Sequence, residues 1–232
     1  MPFTPSQFMS LFERYNAAVW PLQLVTMAAA LAVVALLAAR PGRSSDVAAS
    51  AALVSFSLVV GVGYFFLGFA RHLSPAGYLF GALFVVQAAL LGAAALRPGA
   101  LTFSEAPGWR AVAGTIVLVY ALVGYPIVGL LTGRPLVQSP WLGVVPCPTT
   151  IFTIGLLLRS TSRRPALYLA LPIVWSAVGT TAAIRFGVLE DLGMTAAALV
   201  GAVSLLVPRR TAARLLPGRA GTEGREVHAS LP

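Results

Sequence analysis

The chain has 232 residues, 58% of them hydrophobic and only 10% charged, which excludes an ordinary water-soluble globular domain and points to a membrane protein. All 16 basic residues are arginine, so Schiff-base chemistry on a lysine is excluded, and the single cysteine, Cys147, excludes an intramolecular disulfide and a CxxC redox pair. The net charge of +9 sits in short connections and a C-terminal run, which makes lipid headgroups the expected partner and leaves no folded module for nucleic acid.

Residues 1–19 lack the basic start and small-residue cleavage pattern of a signal peptide. Thr4-Pro5-Ser6-Gln7 instead reads as an N-cap, a proline at the first helical position and a reciprocal Gln, opening a helix. Phe8, Leu11, Phe12 and Tyr15 follow at helical spacing, opposite Ser10, Glu13 and Arg14. That stripe suits a helix lying in the outer membrane interface; a lid packed on the outer face of a bundle is the alternative.

Seven stretches approach the roughly 20 apolar residues that cross a bilayer: Trp20–Ala39, Ala48–Ala70, Ala76–Leu96, Ala111–Leu131, Trp141–Leu158, Ala166–Ile184 and Leu192–Val207. Seven crossings put Arg40, Arg43, Arg97, Arg110, Arg159, Arg163, Arg164 and the tail's Arg209, Arg210, Arg214, Arg219 and Arg225 on one side. The other side receives only Arg14, Arg71, Arg134 and Arg185. Because positive charge in short loops marks the cytoplasm, the N-terminus is expected outside and the C-terminus inside. The fold expected is therefore an all-α polytopic transmembrane bundle over residues 20–207, with a flexible Arg-rich cytoplasmic tail over 208–232 that leans on anionic headgroups. Gly77 and Gly81 on the third crossing, with Gly61 and Gly63 on the second, predict close helix contacts.

The fifth stretch carries its helix breakers at its head, in Pro146-Cys147-Pro148-Thr149-Thr150. In a continuous helix the prolines would free the carbonyls of Leu142 and Val144, which must then face protein or a wet cavity rather than lipid. A second geometry is a helix opened by proline near residue 148 and preceded by non-helical chain that reaches the surface, with its N-terminus facing outward. A kink made for packing, with the threonines bonded back to the preceding turn, is the third. Tyr125-Pro126 supplies another break, which could frame one cavity with Pro146. The residues expected to contact a solute are Pro146, Cys147, Pro148, Thr149, Thr150 and Thr153, with Tyr120, Tyr125 and Trp175.

Cys147, His72, Glu190 and Asp191 all fall toward the outer face and would together offer ligands for a soft or borderline metal ion. Separately, Asp191 reads as a cap and Glu190 as a dipole partner of the last helix. The crossings otherwise hold no ionisable group, and no cofactor motif or enzyme signature such as GxSxG, HExxH or a P-loop occurs.

The blocks MPFTPSQFMSLFERYNAAVWP, YALVGYPIVGLLTGRP, VPCPTTIFT and EDLG at 190–193 resemble a family of uncharacterised bacterial multi-pass membrane proteins, a domain of unknown function that implies no activity. The expected role is a small-solute or ion carrier of the bacterial inner membrane with an outward-facing site at the fifth stretch. A non-transporting sensor or assembly partner using the same cavity is the alternative.

Overall fold

The computed structural model describes residues 3–103, 108–162 and 164–207; the expected tail lies outside the described residues. Eight helices follow one another: α1 (Pro5–Ala18), α2 (Leu22–Ala39), α3 (Arg43–His72), α4 (Ala76–Ala95), α5 (Trp109–Leu131), α6 (Pro146–Arg159), α7 (Pro165–Phe186) and α8 (Leu192–Leu206). Two short strands, β1 (Leu101–Thr102) and β2 (Thr161–Ser162), pair antiparallel with Leu101 opposite Ser162. Six helices are long and apolar enough to cross a membrane: α2, α3, α4, α5, α7, and α8 together with its leading 3-10 turn Leu189–Asp191. Their outward faces carry exposed Leu24, Leu31, Ile116, Val123, Leu199 and Val203, a surface suited to lipid rather than water.

The fifth expected crossing, Trp141–Leu158, is not among the six. Its helix, α6, has 14 residues and starts at Pro146, because a proline with no N–H is most at home in the first helical turn. Every residue from Pro146 to Leu158 is buried, and α6 packs against α5, α7 and α8 as the core of the bundle.

Contacts sort the connections into two ends. At one, Arg159 donates to Ala111 O at 3.3 Å, Phe103 N–H donates to Asp46 Oδ1 at 2.7 Å, and Arg110 donates to Ser204 O at 2.8 Å, alongside the β1–β2 pair. At the other, Asn16 Nδ2 donates to Val137 O and Ser139 O, both at 2.9 Å, and Arg134 meets Glu190. Helix α6 runs from the second end to the first.

Helix α1 carries the expected capping box: Gln7 N–H donates to Thr4 Oγ1 at 3.3 Å and Thr4 N–H to Gln7 Oε1 at 2.8 Å. Its apolar stripe is spent on the bundle, with Leu11, Phe12 and Tyr15 buried and Phe12 stacked on Tyr64. This is the lid arrangement of the two that the stripe allowed. Tyr15 settles over Gly63, where any Cβ would meet its hydroxyl at 2.7 Å.

The expected small-residue contact joins α3 and α4. A Cβ at Gly61 would lie 2.9 Å from Gly81 O and 3.2 Å from Phe84 Cβ, so only glycine admits this approach. Around it α3 widens into π-helical turns from Val59 to Phe69. Gly61→Ala should therefore lower unfolding stability in detergent by about 1–3 kcal/mol through overpacking. Gly92→Ala, on α4 where only Val54 comes within 3.8 Å, should be neutral or stabilising in the same thermal melt.

Candidate functional site

The site is built on the seven residues that precede α6. Gly143 takes φ +79°, and a Cβ there would meet Thr26 Cβ at 2.6 Å, so backbone conformation and space both demand glycine. Its N–H donates to Thr149 Oγ1 at 2.8 Å, and that hydroxyl donates to Val145 O at 2.6 Å. The carbonyl of Leu142, which a continuous helix would have orphaned, accepts from Thr26 Oγ1 at 2.7 Å. Val145 is extended, and α6 begins after it. Helix α6 thus opens at Pro146, two residues before the start expected near residue 148, and Thr149 and Thr153 make the back-bonds expected of the packing alternative.

Two of the expected solute contacts are already committed to the backbone. Thr149 spends both its donor and an acceptor on residues 143–145, and Thr153 donates to Thr149 O at 2.8 Å. Both act as locks for the start of α6. Thr150 borders a pocket of about 20 Å³ with Gln87 and Trp175, room for one water. Pro126 shares a cavity of about 30 Å³ with Pro148, bordered by Tyr125, Gly129 and Glu190, and not with Pro146 as expected, which borders a different space.

The larger space lies beside Cys147. A cavity of about 140 Å³ opens between α1, the 69–76 corner and α7, with Pro146, Cys147 and Asp191 in its wall. Phe3 and Phe8 roof it, stacked on Phe186 at 5.5 and 4.5 Å. Trp175, 7% exposed, stands in edge contact with Phe65, Phe80 and Phe84 at 5.1–5.4 Å.

Glu190 and Asp191, expected at a helix start, are drawn wholly inside at 0% and 3% exposure. The role expected of Asp191 as a side-chain cap is not realised, since α8 has no side-chain cap bond. Glu190 Oε1 pairs with Arg134 Nε at 2.6 Å, while Glu190 Oε2 is buried without a partner. Arg134 also donates to Gly187 O at 3.2 Å and reaches the Met9 sulfur at 3.0 Å, so one guanidinium joins α1, the 132–140 connection and the 187–191 turn. Asp191 Oδ1 accepts from Tyr125 OH at 2.6 Å and lies within reach of the Cys147 thiol. Tyr120 OH donates to Glu190 O at 2.7 Å.

The four residues expected to share a metal do not converge. His72 is exposed and borders a separate groove with Arg14 and Tyr15, and among the described residues no group of three His, Cys, Asp or Glu side chains could hold a metal ion. Arg134 was missed as a site residue, having counted only as a loop charge. The signal was available: seven crossings put the lone arginine of 132–140 on the same face as the only acids of 187–191.

Six apolar spans around a buried core helix define a multi-pass helical membrane protein. A family model described as a family of unknown function, DUF6064, matches residues 5–215, and the chain belongs to that family. No curated protein and no solved structure matches the chain.

A buried ion pair costs most when one partner is removed. Arg134→Leu, which strands Glu190, should destabilise the protein by about 3–5 kcal/mol in a denaturation experiment. The double variant Arg134→Leu/Glu190→Leu should regain much of that loss; equal instability of the single and double variants would show that the pair is not coupled.

Proposed function

We propose that this chain is a seven-crossing carrier of a small solute in the bacterial inner membrane, with its N-terminus and its site on the outer side. The seventh crossing in this reading is α6 with its non-helical lead-in, because its ends contact opposite ends of the bundle although the helix is short. Orientation rests on the arginines, since Arg40, Arg43, Arg97, Arg110, Arg159 and Arg164 gather at the β1–β2 end and Arg14, Arg71, Arg134 and Arg185 at the other. Anionic headgroups would meet the richer end.

The observation that carries the reading is the cavity of about 140 Å³ under α1, with a thiol and a carboxyl in a mostly apolar wall. Concave, mostly apolar spaces with few polar groups are where small ligands bind. Of the expected contacts, Cys147, Pro146 and Trp175 border this space; Tyr125 serves it indirectly by holding Asp191. Tyr120 holds Glu190 O, Thr149 and Thr153 bond to the backbone at the start of α6, and Pro148 and Thr150 border two smaller pockets.

One observation favours binding without passage, as in a sensor: Ile151, Phe152, Ile154 and Leu156 are all at 0% exposure and fill the axis below the cavity. Passage would require α6 to move against α5 and α8. Solutes that raise the melting temperature of the purified protein should exchange across proteoliposomes containing it, and Cys147→Phe, which fills the cavity, should abolish both effects. Stabilisation without exchange would favour the sensor, and stabilisation that survives the filled cavity would overturn the site.

A further inference from the structure

We infer that the ligand of the cavity under α1 is a small organic cation, an ammonium carried on an apolar body of about one ring. This rests on the reading that the cavity binds a solute. Phe3, Phe8, Phe69, Phe80, Trp175 and Phe186 border the space, and the one charged side chain among its borders is Asp191. Aromatic side chains are suited to the wall of a cation site, because a ring face free to meet the ligand is the negative part of its quadrupole.

The carboxyl adds the second half of the argument. Asp191 is 3% exposed, and the salt bridge found among the described residues belongs to its neighbour Glu190. The nearest guanidinium, Arg134, is committed to Glu190, Gly187 O and Met9, leaving Asp191 with hydrogen-bond donors from Tyr125 and Cys147. A cation beside this buried carboxyl would hold it in its ionised form and pair with it, which a neutral ligand would not do. An anionic solute would meet Asp191 with no arginine bordering the cavity to receive it. The volume, about 140 Å³, is that of a cavity that holds a single benzene-sized body.

The test measures binding of benzylammonium and its neutral counterpart, benzyl alcohol, to the full chain purified in detergent, by calorimetry and thermal shift. Benzylammonium should bind about tenfold or more tightly than benzyl alcohol. Asp191→Asn should bring the two ligands to similar affinity. Should that variant fail to fold, Trp175→Leu keeps the carboxyl, removes a ring, and should weaken benzylammonium more than benzyl alcohol. Equal affinities in the unaltered protein, or preference for the alcohol, would overturn the cation inference while leaving a solute-binding cavity. Binding of neither ligand would overturn both.

Discussion

A helix of 14 residues rises about 21 Å, and the hydrocarbon of a bilayer is about 30 Å thick. Helix α6 alone falls about 9 Å short of that thickness, and in the seven-crossing reading proposed above its non-helical lead-in makes up the difference. Non-helical backbone exposes N–H and C=O groups, which lipid cannot satisfy, so the lead-in over 139–145 must be enclosed by protein. Thr26 from α2, Thr149 from α6 itself and the turn in which Val144 and Val145 donate to Trp141 O close those bonds. Because no helical rod fills this level of the core, space is left beside Cys147.

That space needs a roof and a fixed wall, and the remaining polar residues supply them. Helix α1 lays its aromatic stripe across the gap, tied down by Asn16 to the 132–140 connection and by Tyr15 over Gly63. Arg134 holds the wall by joining Met9, Gly187 and Glu190. Two adjacent acids share one arginine, so the second, Asp191, is left to Tyr125, Cys147 and whatever enters the cavity. In a dry setting such an imbalance is more consequential than any surface charge.

Long apolar runs, the α1 capping box, the glycine contact between α3 and α4 and the proline-led start of α6 were legible because each is a local rule: length, spacing or a missing N–H. The fate of the threonines was not, since whether Thr149 faces a ligand or Gly143 depends on how seven residues fold back. Glu190 and Asp191 looked like ordinary helix-start residues because burial is a property of the packed bundle, and only Arg134 from 56 residues away makes it tolerable for Glu190. His72 joined the expected metal set by sharing a face, but a face is wide and its helix turns it outward beside Arg14.

The central claim is that Cys147 borders a small roofed cavity at the end where α6 has no helical lead-in. As the only cysteine, it can report this directly through its rate of modification in the folded protein by thiol reagents of increasing size. The account predicts that small methanethiosulfonates react slowly and completely, while a polyethylene-glycol maleimide reacts only after unfolding. Rapid labelling by the large reagent, or none by the smallest, would contradict it.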